Sequence, residues 1–131
     1  MSNKNIDEGS LVEKGLAVRR EVLGDEYVDR ALEHTDALTK EFQEFVSGYC
    51  WGGIWTDERL SRRERSLIVL AITAALGKEA EFEAHTHGAL RNGVKEEEIA
   101  SLMRQIAVYC GVPAAVTCHH IARKVLSAGN D

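Results

Sequence analysis

Glu81 and His85 are the two residues of this chain whose chemistry and spacing first suggest a reactive site. They stand four residues apart in the stretch from 77 to 93, which has the pattern of a helix between two glycines. Residues four apart share one face of a helix, with Cβ atoms about 5–6 Å apart. A carboxylate beside an imidazole can orient the ring and raise its pKa towards neutrality. The pair therefore predicts proton transfer at cellular pH.

The bulk composition narrows the class of protein. The 131 residues fit one domain covering the whole chain, and the formal net charge of -5 offers no basic face for nucleic acid. No apolar run approaches the ~20 residues that span a bilayer, and the first residues lack the apolar segment of a secretory signal. We therefore expect a cytoplasmic enzyme that binds neither nucleic acid nor membrane.

The three cysteines, Cys50, Cys110 and Cys118, are an odd number without CxxC spacing. This pattern argues against a disulfide framework, and a cytosol would keep the thiols reduced. We expect them to be small apolar residues of the interior.

The apolar residues recur mostly at intervals of three and four, and the chain has a single proline, Pro113. This pattern predicts an all-α fold of about six helices, with residues 1–7 disordered. The predicted helices cover 8–23, 26–46, 61–76, 78–92, 95–110 and 113–126. Between the second and third lies Gly48–Trp55, which we interpret as a glycine-punctuated aromatic loop.

The third predicted helix should begin at a capping box formed by Ser61 and Glu64. Its run from Leu67 to Leu76 is apolar on nearly every side, which predicts a central helix that is buried all round. Association of subunits is a natural way to cover such a helix in a small chain, so we expect a symmetric homo-oligomer.

The chain resembles the 4-carboxymuconolactone decarboxylases, enzymes of protocatechuate breakdown. The resemblance extends from about Gly15 to Leu126 and depends on several segments in order and at fixed spacing. These segments are 18–25, 41–44, 51–55, 62–67, 77–93 and 107–115.

The resemblance implies an AhpD-like helical domain and a homohexamer built as a trimer of dimers. It also implies that no cofactor and no metal are used, and that the substrate is a small carboxylated lactone. In the peroxidase branch of the superfamily a CxxC pair precedes the helix histidine, whereas the matching positions here are Lys78 and Glu81. Thiol–disulfide chemistry needs two nearby sulfurs, so we expect no peroxidase activity.

The implied reaction is the decarboxylation of 4-carboxymuconolactone to 3-oxoadipate enol-lactone in the beta-ketoadipate pathway. The catalytic candidates are His85 as proton donor, Glu81 as the group that orients it, and His120, which matches a family histidine. Arg62 and Arg65 are candidates for binding the substrate carboxylates through their bidentate fork. Trp55 and Trp51 are candidates for the wall of the substrate pocket.

Three residues depart from the decarboxylase pattern. Tyr49 stands where a histidine is usual, Gly53 where an acidic residue is usual, and Val116 where an asparagine is usual. Such changes alter which substrate oxygens a pocket can satisfy, so they bear on the exact substrate.

Two alternative interpretations keep the fold and change the function. Glu81, His85 and His120 have the ligand types of a zinc site. Alternatively, the helical oligomer binds a small acid or serves a partner without catalysis, as a relative of different function.

Overall fold

The computed structural model describes residues 8–128, so the predicted disordered segment 1–7 lies outside the described residues. The described residues form seven α-helices and one π-helix and contain no strand. The all-α class expected from the sequence is therefore confirmed. The α-helices are α1 (Glu8–Leu23), α2 (Asp25–Leu32), α3 (Ala37–Phe45), α4 (Arg62–Leu76), α5 (Glu79–Arg91), α6 (Glu96–Cys110) and α7 (Val112–Ala128).

The chain divides into two compact units, the first ending at Leu60 and the second beginning at Ser61. A single domain over the whole chain stays a prediction. No helix within residues 8–128 is both long and apolar enough to cross a membrane.

The first unit differs from the sequence prediction in two places. The predicted helix over 26–46 is interrupted between α2 and α3, where the Asp36 side chain accepts a hydrogen bond from the Thr39 backbone N–H at 2.8 Å. Asp36 is thus an N-cap, and it starts a new helix. The predicted aromatic loop is instead a π-helix, Val46–Ile54. Its i→i−5 bonding continues into Trp55, whose N–H donates to the Cys50 carbonyl at 3.1 Å.

The π-helix lies against α1 at backbone-to-backbone distance. A Cβ atom added to Gly15 of α1 would collide with the Ser47 carbonyl, and one added to Gly52 would lie 2.5 Å from the Leu11 carbonyl oxygen. The glycines therefore serve close approach of two helices, which explains why a glycine-rich segment is helical here.

The second unit is built on α4, whose start agrees with the prediction. The Glu64 N–H donates to Ser61 Oγ at 3.0 Å, and the Ser61 N–H donates to Glu64 Oε1 at 2.9 Å. This reciprocal pair is the predicted capping box. The helix ends at Gly77, which adopts a left-handed φ of 69°.

The prediction that α4 is buried all round is wrong for the single chain. Leu70 and Ala74 are buried, but Ile68, Ile72 and Leu76 are 44%, 51% and 66% exposed. These three residues, the α4 stripe, recur every four positions and so share one face of the helix. The opposite face packs on the core, which α4, α5, α6 and α7 build from Leu70, Phe82, Ala89, Ile99, Met103, Ile106 and Cys118.

Candidate active site

The structure places Glu81 and His85 on α5, one helical turn apart, as the sequence predicted. Phe82 and Ala89 of this helix are completely buried, which fixes α5 against the core. Glu81 is exposed, and His85 is partly buried at the edge of the packed face. The pair therefore joins a solvated carboxylate to an imidazole that is largely withdrawn from water.

Burial has a larger effect on the pKa of His85 than the Glu81 carboxylate does. Desolvation lowers the pKa of His85 to about 4, while the Glu81 charge raises it by a smaller amount. The expectation that Glu81 brings the His85 pKa towards neutrality is therefore wrong, because a charged imidazole away from water costs more than the carboxylate returns. In the single chain His85 is therefore neutral at pH 7.

The two candidate arginines lie at the start of α4. Arg62 is its first residue, and both Arg62 and Arg65 are partly buried. The Asn92 side chain, just after α5, donates to Ser66 Oγ at 2.9 Å. This bond holds the end of α5 beside the start of α4, so the two helices run antiparallel. Seven residues of helix separate His85 from Asn92, or about 10 Å along the axis.

His120 lies on α7 of the second unit. It is exposed on α7, while Ala115, Cys118, Ala122 and Val125 form the buried face of that helix. The His120 ring meets the His119 ring edge-on, with centroids 6.2 Å apart. In the part of the chain that the structure describes, no three His, Cys, Asp or Glu residues converge as metal ligands. Glu81, His85 and His120 thus form no such group within one chain.

The two candidate tryptophans belong to the first unit. Trp51 and Trp55 are 4% and 7% exposed, and their rings stack with centroids 4.8 Å apart. Both rings are therefore buried in the folded chain and contact each other. Two of the residues that depart from the family pattern, Tyr49 and Gly53, are on the same π-helix and are exposed.

The cavities of the chain include two that are lined by residues of the second unit. The larger, about 350 Å³, lies between α6 and α7 and is lined by Glu96, His119 and Arg123 among others. The smaller, about 150 Å³, lies where α4 ends and α5 begins, and its lining includes Lys78 and Cys118. Neither is lined by Glu81 or His85.

The polar residues of the larger cavity were missed by the sequence analysis. His119 and Arg123 are four residues apart on α7, and this spacing alone would have indicated that they share one face of the helix. Lys78 lines the smaller cavity together with Cys118. Burial raises the pKa of the facing Cys118 thiol, which favours its inert, protonated form.

Comparison with known proteins identifies relatives along most of the chain. Residues 40–124 match the model of the carboxymuconolactone decarboxylase family. The 4-carboxymuconolactone decarboxylase of Acinetobacter baylyi is 38% identical over 112 residues, which are 86% of this chain and 84% of the relative. A nitrosuccinic acid decarboxylase of Metarhizium robertsii is 36% identical over 117 residues, 89% of this chain and 82% of the relative. A shorter match, 43% identical over 47 residues, covers 36% of this chain and 98% of a 4-carboxymuconolactone decarboxylase of Pseudomonas putida.

Proposed function

Because this chain belongs to the carboxymuconolactone decarboxylase family and is a carboxy-lyase, we propose that its substrate is 4-carboxymuconolactone or a close carboxylated lactone. The product would be 3-oxoadipate enol-lactone, formed without a cofactor in cytoplasmic breakdown of protocatechuate. The observation that carries the proposal is the match to the Acinetobacter baylyi enzyme along most of both chains.

The substrate itself supplies the electron sink for this reaction. When the carbon–carbon bond to the carboxylate breaks, CO₂ leaves and the electron pair stays on the ring carbon. It delocalises through the ring double bond onto the lactone carbonyl oxygen. One proton then adds to a ring carbon and yields the enol-lactone. The protein has to bind two carboxylates, stabilise the oxyanion and deliver that proton.

We assign the proton delivery to His85. The imidazole is neutral in the free chain because its pKa is lowered to about 4. A bound anion beside it would raise that pKa, since an opposite charge favours the charged form. Binding of the substrate would thus take up a proton, which Glu81 helps to hold and His85 then transfers to the ring carbon. Calorimetric titrations with an unreactive lactone analogue, in buffers of different ionisation enthalpy, measure this uptake.

We assign carboxylate binding to Arg62 and Arg65. Both are partly buried at the start of α4, and a guanidinium can hold a carboxylate through two parallel hydrogen bonds. Their neighbour Arg63 forms an ion pair with Glu98. Roles for His120, Trp51 and Trp55 stay predictions from the resemblance.

We also propose that the protein assembles into a homo-oligomer, specifically a hexamer. The support is the α4 stripe, because apolar residues in a row on a helix are costly to leave in water. Sedimentation velocity on the untagged protein measures the assembly directly. A monomer at micromolar concentration would contradict it.

The decisive experiment is turnover by purified protein. Added 4-carboxymuconolactone should lose its ultraviolet absorbance and release one CO₂ for each molecule consumed. His85→Asn should lower kcat by about 10²-fold or more, as loss of a general acid does. His87→Asn is the matched control, because His87 is an exposed histidine two residues along the same helix. Full activity of the His85 variant would remove this residue from the mechanism.

Nitrosuccinate is a second candidate substrate, favoured by the match to the Metarhizium robertsii enzyme over 89% of this chain. The chemistry is parallel, because a nitro group beside the departing carboxylate accepts the electron pair as a nitronate. Both substrates are small dicarboxylates with an electron sink. The ratio of kcat/KM for the lactone and nitrosuccinate decides between them.

A further inference from the structure

Arg19 is a buried cation in the first unit. Its residue is only 6% exposed, and it lies on the face of α1 that also carries Gly15, Val18 and Val22. That face packs against the π-helix. An arginine in such a position has to be desolvated, and desolvation lowers the pKa of its guanidinium.

The partners of Arg19 in the described residues are neutral. Its Nη1 donates to Gln43 Oε1 at 2.9 Å and, at 3.4 Å, to Ser47 Oγ. Its Nε is buried and has no hydrogen-bond partner among residues 8–128. Asp25 and Asp29 are bound by the neighbouring Arg20 at 3.1 and 2.8 Å. Among residues 8–128, no carboxylate forms an ion pair with Arg19, and none is a main influence on its pKa.

The two side chains that accept hydrogen bonds from Arg19 also carry donors of their own. The Gln43 and Ser47 oxygens are occupied by Arg19, and neither the Gln43 amide nor the Ser47 hydroxyl donates to a described residue. Together with Arg19 Nε they form a cluster of N–H and O–H groups around one positive charge. Gln43 is only partly buried, so the cluster reaches the surface at α3.

We propose that Arg19, Gln43 and Ser47 form a binding site for a carboxylate group of a small organic acid. The guanidinium edge that includes Nε matches the two oxygens of a carboxylate, and the amide and hydroxyl add neutral donors. The bound carboxylate supplies a negative charge next to Arg19, whose hydrogen-bond partners among residues 8–128 are neutral. It comes either from the substrate of the enzyme or from a separate small acid.

Binding of succinate to the 131-residue chain tests the site independently of turnover. Thermal unfolding is followed with succinate and with uncharged succinamide at constant ionic strength. Succinate at about ten times its Kd should raise the Tm by about 3–5 °C, and succinamide should not. Arg19→Gln should abolish the succinate response. Its Tm without ligand should be no lower than that of wild type, because an unbalanced buried charge has been removed.

Arg20→Gln is the matched control. It removes the same charge from the adjacent residue, which already has two carboxylate partners, so the succinate response should remain. Should Arg19→Gln fail to fold, Arg19→Lys keeps the charge without the planar fork and should weaken succinate binding about tenfold. An unchanged succinate affinity in Arg19→Lys or Arg19→Gln overturns the proposal. So does a wild-type protein that ignores succinate.

Kinetics separates the two sources of the carboxylate. If the substrate supplies the carboxylate, Arg19→Gln raises the KM for that substrate, and succinate inhibits turnover competitively. If a separate acid supplies it, KM is unchanged and succinate does not compete. Succinate binding can be read even where neither candidate substrate is turned over, so failure of this site and failure of the proposed function are distinguishable.

Discussion

The pKa of His85 makes the stability of the folded chain depend on pH in a predictable window. An unfolded histidine has a pKa of about 6.5, whereas in the folded chain burial lowers that of His85 to about 4. The folded state thus resists protonation that the unfolded state accepts. The neutral ring contributes its stability above pH about 6.5, and this is lost as the pH falls towards 4.

The size of the effect follows from the difference between the two pKa values. A gap of about 2.5 units corresponds to about 3.4 kcal/mol once both states are protonated. Between pH 7 and pH 4.5 the free energy of unfolding should fall by about 2–3 kcal/mol through this residue alone. Neutral asparagine has no proton to bind, so His85→Asn should lack this part of the pH dependence.

Urea unfolding of wild type and His85→Asn at fixed protein concentration, in steps from pH 7 to 4.5, measures the difference. A matched His34→Asn variant changes an exposed histidine and should follow wild type. An NMR titration of the His85 ring gives its folded-state pKa directly. Parallel pH curves for wild type and His85→Asn, or a ring that titrates near pH 6.5, would refute the burial argument.

Three further perturbations have expected outcomes. Glu81→Gln removes the charge that raises the His85 pKa, so the NMR titration should move to lower pH; a rise would contradict the assigned sign. Gly15→Ala should lower the free energy of unfolding by about 1–3 kcal/mol or more through overpacking, measured by urea titration. Gly53→Ala, with its nearest neighbour at 3.8 Å, is the control, and equal effects at both glycines would disprove close approach as the cause. Ser61→Ala should cost about 1 kcal/mol in the same assay through the lost cap, and Ser61→Asp should recover most of it; no loss on Ser61→Ala would show that the box is dispensable.

Local signals predicted the elements that depend on local chemistry. The Ser61 capping box and the helix end at Gly77 can be recognised in the sequence because each depends on residues within one helical turn. The break at Asp36 also has a local signal, the N-cap side chain, but helical apolar periodicity on both sides of it predicts one continuous helix. The π-helix could not be predicted, because its glycines are explained only by the backbone of α1 beside them.

The same division holds for the candidate site. The shared face of Glu81 and His85 follows from helical spacing, whereas the lowered pKa of His85 depends on how much of the ring is withdrawn from water. Arg19 was no more than one of two adjacent arginines in the sequence. Its burial, and the engagement of the nearby acids by Arg20, emerge only when α1, α2 and the π-helix are packed.

The contact between α1 and the π-helix limits how this chain can evolve. A side chain at Gly15 or Gly52 would have to displace a backbone carbonyl of the facing helix, and backbone cannot yield as a flexible side chain can. Substitutions at these two positions should therefore be selected against because they impair folding, whether or not the positions contribute to ligand binding. Gly53, which meets only ordinary contact distances, is free to vary. A library of random substitutions selected only for folding should recover glycine at the first two positions and many residues at the third.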